Sequence, residues 1–258
     1  MELAANSTNA TLAAALIEGD YTYLLEFAAR NTMGMLQASG VGSWSLHVFY
    51  TRYNSRQVLH TFGSYPSFAH SRMHMVDGPN LKGRAYNGLL KMPAFWESFG
   101  PHVQRVLVFR PDALMLRPGV GPFMEWGFVG APWATTDARW ADLEARAGAR
   151  GVGDGGFSLR DPHLMAKLAR EGTLRHGSTP QWADEAEDEF FATQLAASSQ
   201  VPTREEAYRF AVARPCNDMV EETPSLVAVH QLSHWSQPEP NNASAGRPLQ
   251  TSQLDNAA

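Results

Sequence analysis

The sequence predicts an α/β fold built around an open, mostly parallel sheet. The strongest observation is the run of four apolar residues at 106–109, which ends at Arg110, Pro111 and Asp112. Continuous apolar runs are typical of strands that are covered on both faces. A second observation is that strand-like and helix-like segments alternate along the 258 residues, which favours α/β over a bundle or a sandwich. With 44% apolar residues, the chain can bury a substantial core.

The first half of the chain supplies most of the predicted elements. Alternation of aromatic and polar residues predicts a strand at 44–50, and helical spacing of apolar residues predicts a helix at 21–37. Pro93 lies inside a second helical pattern and is expected to split it. Residues 51–80 are left unassigned. The elements expected here are a strand at 11–17 with a turn at 18–20, a helix at 21–37, a strand at 44–50, a helix at 86–99 and the central strand at 104–109.

The predicted elements in the second half of the chain are shorter and separated by longer unassigned stretches. Pro162 is suited to the first turn of a helix, which we expect at 162–171. The other expectations are a short apolar segment at 123–129, a surface loop or short helix at 134–150, a helix or turn at 205–210 and a last short strand at 227–230.

We expect a single domain at residues 11–235. Residues 1–10 are small and polar and are interpreted as a loose start. Residues 236–258 are rich in Gln, Pro, Asn, Ser and Ala, a composition typical of a disordered tail.

Charge and cysteine content narrow the classes of partner and site. The net charge is -5 and the 21 Lys and Arg form no basic run, so no nucleic-acid partner is expected. Cys216 is the only cysteine, which excludes an intrachain disulfide and a Cys-rich zinc site. No stretch reaches the roughly 18 apolar residues of a membrane span, and no signal-peptide pattern begins the chain. We expect a cytoplasmic protein by default, or a Golgi-lumen enzyme if the chain is a truncated form.

Asp112 is the first candidate for chemistry. Ligands of open α/β sheets bind just beyond the carboxyl ends of strands. A hard divalent cation prefers carboxylate oxygens and usually retains water and substrate phosphates. Asp112 is therefore a candidate for holding a metal ion or a sugar nucleotide. The alternative is an aspartate that only closes a turn or caps a helix.

The glycine cluster at 151–156 is the second candidate. Gly155 and Gly156 would let the backbone approach a ligand closely. The cluster has neither the Lys-Ser/Thr of a P-loop nor an evident preceding strand. The alternative is a flexible loop.

An acidic run and a late histidine complete the candidates. Glu187 and Asp188 lie just before two phenylalanines, so part of the run should face inward, where a raised pKa suits a general base. The alternative is a solvated helix start. His230 ends an apolar run and could bind Mn²⁺. The alternative is a hydrogen-bonded, semi-buried histidine.

Taken in order, these pieces resemble a glycosyltransferase-like domain family of unknown function with the GT-A type of fold. The matching residues extend over roughly 11–235. They are Glu18, Tyr86-Asn87-Gly88-Leu89-Leu90, Phe95-Trp96, Val106-Leu107-Val108-Phe109-Arg110-Pro111-Asp112, Gly130-Ala131-Pro132-Trp133, Gly153-Asp154-Gly155-Gly156-Phe157-Ser158-Leu159-Arg160, Glu187-Asp188 and His230.

The resemblance implies an open, mostly parallel twisted sheet flanked by helices, a nucleotide-sugar donor, an unidentified hydroxyl acceptor and Mn²⁺ or Mg²⁺. It implies Asp188 or Glu187 as the base. The implied donor-binding residues are Glu18, Arg110, Asp112, Gly155 and Gly156, and the implied metal ligands are Asp112 and His230.

Four residues depart from the family pattern. Arg110-Pro111 stand in place of Gln-Thr, Asp154 in place of Asn, and Ala213 in place of Glu. A guanidinium suits phosphate, and it also repels a metal ion. The leading hypothesis is a metal-dependent glycosyltransferase, and by analogy the Gly-Gly then Glu-Asp order favours inversion over retention. The alternatives are a nucleotide-sugar-binding protein that has lost catalysis and a metal-dependent phosphoester hydrolase.

Overall fold

The computed structural model describes residues 11–78, 80–133, 153–176, 184–196, 198–213 and 225–231. The predictions made for residues 1–10, 134–150 and 236–258, and for Cys216, lie outside these ranges.

A mixed, mostly parallel sheet forms the centre of the described part of the chain. The strands are β1 (Leu12–Ile17), β2 (Trp44–Tyr50), β3 (Arg72–Met75), β4 (Arg105–Phe109), β5 (Leu114–Met115), β6 (Phe128–Ala131), β7 (Asp154–Arg160), β8 (Ala211–Ala213) and β9 (Ala228–His230). The central sheet has the strand order β3-β2-β1-β4-β7-β6. The first four of these strands are mutually parallel, whereas β7 is antiparallel to both β4 and β6. A second, three-stranded sheet has the order β5-β9-β8.

Helices cover both faces of the large sheet. They are α1 (Leu25–Ala38), α2 (Ser55–Ser64), α3 (Gly83–Leu90), α4 (Pro93–Glu97), α5 (Pro162–His176), α6 (Glu187–Leu195) and α7 (Arg204–Phe210). None of the described helices is long and apolar enough to cross a membrane.

The central strands are apolar along their whole length because both of their faces are covered. In β4, Leu107 and Phe109 pack into one core cluster with residues of α1 and α7. Val106 and Val108 point the other way, into a cluster with residues of α4, α5 and α6. Alternate residues of a strand face opposite sides of a sheet. This arrangement confirms the predicted fold class, a single α/β domain with an open, mostly parallel sheet flanked by helices.

The first helix begins four residues later than predicted. The side-chain amide of Asn54 donates to the carbonyls of Glu18 and Asp20, at 2.8 and 3.1 Å. The side chain of Gln57 bonds both the N–H and the carbonyl of Thr22. These contacts hold the backbone of residues 18–22 in a non-helical path, so the segment after β1 stays a loop.

Two other predictions concerned proline and glycine. The predicted split at Pro93 is confirmed, because α3 ends at Leu90 and Pro93 opens α4 as its first residue. The flexible-loop interpretation is wrong for Gly155 and Gly156, which are buried within β7. The unassigned stretch at 51–80 contains α2 and β3.

Candidate functional site

The carboxyl edge of the large sheet gathers the predicted site residues. Because β1 and β4 are adjacent and parallel, Glu18 and Arg110 follow their strands at the same edge. β7 begins at this edge with Asp154, since it runs antiparallel to β4. The backbone N–H of Arg110 donates to the carbonyl of Gly156 at 3.1 Å, which ties the two strand ends together.

His230 reaches this edge from the second sheet, where it ends β9. Its imidazole lies against the backbone of Gly156. A Cβ added to Gly156 would stand 2.0 Å from Cε1 of His230, well inside van der Waals contact. A glycine at position 156 is therefore what makes room for the buried ring.

Two carboxylates flank the imidazole. Nδ1 of His230 lies 3.0 Å from Oδ1 of Asp154, and Nε2 lies 3.4 Å from Oδ1 of Asp112. The separations are those of ion pairs, yet both ring nitrogens and this oxygen of Asp112 have no hydrogen-bond partner among the described residues. We therefore treat the contacts as charge interactions. Burial alone lowers the pKa of His230, but the charges of Asp154 and Asp112 raise it to about 9.

Asp154 is held from several sides. Its Oδ1 accepts the backbone N–H of Gly156 at 2.9 Å, and its Oδ2 accepts the side-chain amide of Gln231 at 3.1 Å. Gln231 adopts a φ of 60°, a left-handed conformation that non-glycine residues rarely take. Burial would raise the pKa of Asp154, but His230 and the Gly156 N–H hold it below its usual value.

Arg110 lies beside Asp112. Its Nε is 3.8 Å from Oδ1 of Asp112, and its guanidinium lies 5.6 Å from the ring centroid of Tyr86. Burial opposes ionisation of Asp112, yet His230 and Arg110 together keep the pKa of that carboxyl below its usual range. The Arg110 side chain remains 29% exposed, so part of it is open to solvent beyond β4.

Glu187 lies beneath Gly155 in a buried ion pair. Its two carboxylate oxygens accept from the guanidinium of Arg160 at 2.5 and 2.9 Å. That guanidinium lies 4.4 Å from the ring centroid of Phe128. A Cβ on Gly155 would stand 2.0 Å from the Glu187 carboxylate. Gly155 is therefore required for the close approach of this pair to β7.

Asp188 follows Glu187 at the start of α6 but is only partly buried. Its Oδ2 accepts the backbone N–H of Gly155 at 3.4 Å, and its Oδ1 accepts the N–H of Glu189 at 2.9 Å. Burial first, then the negative charges of Glu187 and Asp154, raise the pKa of Asp188 to about 7. A carboxylate with such a pKa suits proton transfer at neutral pH.

The structure brings most of the predicted site residues together and sets Glu18 apart from them. Arg110, Asp112, Gly156 and His230 form one cluster, and Gly155 joins it to Glu187 and Asp188. Glu18 lies at the same edge, where its carboxylate accepts the N–H of Asp20 at 2.8 Å. The exposed Lys82 pairs with the neighbouring Asp20, and this hydrogen bond raises the pKa of Lys82.

Sequence reasoning left two residues of the site without a role. Asp154 appeared only as a departure from a motif, and Arg160 only as part of one. Arg160 carried a usable signal, because a charge that directly follows the strand-like segment Phe157-Ser158-Leu159 needs a counter-ion if it is buried. The acidic run beginning at residue 184 supplies it. Nothing in the sequence signals the contact between Asp154 and His230, which lie 76 positions apart.

The resemblance implies that Asp112 and His230 bind Mn²⁺ or Mg²⁺. Within the described ranges, no three His, Cys, Asp or Glu side chains are arranged to hold a metal ion. Asp112 and His230 meet, but Nε of Arg110 is 3.8 Å from the Asp112 oxygen a cation would need. A cation bound to this oxygen would lie beside a guanidinium of the same sign of charge and be repelled by it. The residues present therefore do not fit a divalent cation.

Comparisons with known proteins bear on the fold and the family. The family model "Protein of unknown function (DUF5672)" matches residues 72–228, more than half of the chain. A sequence comparison with curated proteins finds no match.

Solved structures of glycosyltransferases are similar in fold. Galactosyltransferase LgtC in complex with donor and acceptor sugar analogs is 12% identical, with a TM-score of 0.56 and 88% coverage of both chains. An active-site mutant of LgtC is 14% identical, with a TM-score of 0.54 and the same coverage. Mouse xyloside xylosyltransferase 1 in its apo form is 10% identical, with a TM-score of 0.50, covering 88% of this chain and 99% of its own. The chain therefore belongs to the DUF5672 family of proteins of unknown function, and its fold is that of GT-A-like glycosyltransferases.

Proposed function

We propose that this protein transfers a sugar from a nucleotide-sugar donor to a hydroxyl acceptor. The observation that carries the proposal is the placement of Asp188 and Arg110 at one edge of the sheet. The pKa of the Asp188 carboxyl is raised to about 7, and this carboxylate accepts the N–H of Gly155. The next residue, Gly156, accepts the backbone N–H of Arg110, whose guanidinium lies beyond the end of β4. A group that accepts a proton and a group that binds phosphate are the two parts that transfer from a sugar diphosphate needs. The GT-A-like fold supports the same reading.

Arg110 is assigned to the donor diphosphate. Its guanidinium offers planar donors that match phosphate oxygens. Negative charge builds on the diphosphate as the bond between the sugar C1 and the phosphate oxygen breaks, and a fixed positive charge there stabilises the departing group. The space beside Gly155 and Gly156 is filled by Glu187 and His230, so these two glycines stay proposed donor contacts only through their backbone. Glu18 stays a proposed donor contact at the end of β1.

Asp188 is assigned as the general base. It takes the proton of the acceptor hydroxyl, the hydroxyl oxygen forms a bond to C1 of the sugar, and the nucleoside diphosphate leaves with the electron pair of the broken bond. We propose a single displacement, which inverts the configuration at C1. Glu187 was the other expected base. Both of its oxygens are engaged by Arg160, so we assign it a structural part.

The second candidate is a nucleotide-sugar-binding protein without catalysis. The observation that favours it is Arg110 beside Asp112, where the resemblance implies a metal ligand. The metal-dependent phosphoester hydrolase loses support for the same reason, because the side chains around Asp112 and His230 do not fit a divalent cation.

Incubation of the purified protein with a panel of nucleotide sugars tests the proposal, since water can replace the unidentified acceptor. Mass spectrometry would follow loss of the donor and release of free sugar and nucleoside diphosphate. We expect turnover of one donor class, abolished in Asp188→Asn and retained in the matched variant Glu189→Gln. Binding without turnover would support the second candidate. Release of inorganic phosphate from phosphate esters, with nucleotide sugars left intact, would overturn the proposal.

A further inference from the structure

We propose that this site binds the diphosphate of its donor without a divalent metal ion, and that Arg110 supplies the positive charge. The inference rests on the proposed function and concerns how the same site holds its ligand. It starts from the disagreement between the metal expected from the resemblance and the side chains found at the strand end.

The guanidinium of Arg110 is available to an anion. Its Nε is buried and has no hydrogen-bond partner among the described residues, while the side chain as a whole is 29% exposed. Its guanidinium lies 5.6 Å from the ring centroid of Tyr86, a buried residue, which restricts the orientation of the guanidinium. A phosphate can approach the exposed part of this cationic side chain, whereas a cation there would be repelled.

Asp112 lies between the guanidinium of Arg110 and the imidazole of His230. Its Oδ1 lies 3.8 Å from Nε of Arg110 and 3.4 Å from Nε2 of His230. A carboxylate so close to a guanidinium orients it and offers a metal ion a poor ligand. We infer that Asp112 is a positioning residue for Arg110.

Two neighbouring carboxylates, those of Asp154 and Glu187, are engaged inside the protein. Both oxygens of Asp154 are engaged, one by the N–H of Gly156 and the other by the amide of Gln231. Glu187 is paired with Arg160 beneath the strand. At the open edge beyond β4, Arg110 and Asp112 are 29% and 30% exposed, and Arg110 is the cationic member of this pair.

Calorimetry with UDP, GDP, ADP and CDP, each in excess EDTA and again in MnCl₂, tests the inference on the full chain. We expect one nucleoside diphosphate to bind with a dissociation constant that differs by less than about threefold between the two conditions. Binding only in MnCl₂ would overturn the inference and leave the proposed function intact. No binding of any of the four in either condition would overturn the proposed function itself.

Substitution of Arg110 sharpens the test. In Arg110→Gln, affinity in EDTA should fall by about tenfold or more, and MnCl₂ should restore part of it because Asp112 and His230 are then free to bind a cation. Arg105→Gln, at the opposite end of β4, is the matched control and should bind like the unmodified protein. Unchanged EDTA-resistant binding in Arg110→Gln would overturn the inference. If this variant fails to fold, the EDTA comparison on the unmodified chain still decides the question.

Discussion

Arg160 and Glu187 form a two-point ion pair in the interior of the protein, with distances of 2.5 and 2.9 Å. The two side chains are 0% and 2% exposed. The pair joins the end of β7 to the first residue of α6, so it sets the position of the adjacent Asp188 relative to Gly155. Burial opposes the charge of Arg160, but Glu187 outweighs that effect and raises its pKa.

Glu187→Gln should destabilise the fold. Removing one charge of a buried pair leaves the other unpaired, which typically costs about 3–5 kcal/mol of unfolding free energy. Chemical denaturation followed by tryptophan fluorescence measures this. The control is Glu205→Gln, which removes the acid of an exposed pair with Arg209 and should leave the midpoint nearly unchanged. Equal midpoints for the two variants would contradict the structural assignment of Glu187.

Asp188→Asn should lower turnover and leave the stability of the fold unchanged, in contrast to Glu187→Gln. Loss of a general base lowers kcat by about 100- to 10,000-fold. The melting temperature should hold or rise slightly, because burial and the charge of Glu187 disfavour the ionised form of Asp188. Steady-state donor turnover and thermal unfolding, measured on one preparation, separate the two effects. Wild-type turnover in this variant would remove Asp188 from the mechanism.

The pH dependence of turnover should follow Asp188. A base acts in its ionised form, so kcat should rise with pH and reach half of its plateau near pH 7, where the raised pKa of Asp188 lies. Turnover measured from acid to neutral pH, with the folded fraction checked by circular dichroism at each point, gives the profile. A half-maximum near pH 4, the value of an ordinary aspartate, would show that another group limits the reaction.

Gly156→Ala should disrupt the site, because the added methyl group would meet the ring of His230 at 2.0 Å. We expect a lower melting temperature and weaker nucleoside diphosphate binding. Gly88→Ala is the matched control, since Gly88 is helical and nothing lies within 4 Å of its added Cβ. That change should leave binding unaltered and stabilise the helix by about 0.5–1 kcal/mol. Equal binding by both alanine variants would contradict the close packing of β7 against His230.

His47 should make the fold sensitive to acid. Burial, followed by the charges of His74 and Arg72, lowers the pKa of His47 to about 3. The unfolded chain takes up this proton near pH 6.5, so stability falls as pH decreases from 6.5 toward 3. In His47→Gln the loss of melting temperature between pH 7.5 and pH 5 should shrink. The exposed His102, changed to Gln, should leave that loss as it is. An identical loss in both variants would rule out His47 as its source.

Local patterns account for most of the architecture predicted from the sequence. The strand at 44–50, the strand that ends at Phe109 and the break at Pro93 are encoded in short stretches of side chains, and the structure confirms them. Alternation of such elements was enough for the α/β class, because strand and helix periods are properties of neighbouring residues. The start of α1 could not be obtained in this way, since the distant side chains of Asn54 and Gln57 hold the preceding loop.

The candidate site likewise combines features set by the sequence with features set only by the tertiary structure. By itself, the sequence determined which chemical groups are present and the order in which strands deliver them to one edge. Only the tertiary structure decided their partners: Glu187 with Arg160 beneath the strand, and His230 between Asp112 and Asp154. Burial and charge shift a pKa only through groups brought close in space. The assignments of Asp188 as the base and Arg110 as the diphosphate contact therefore rest on contacts between residues far apart in the chain.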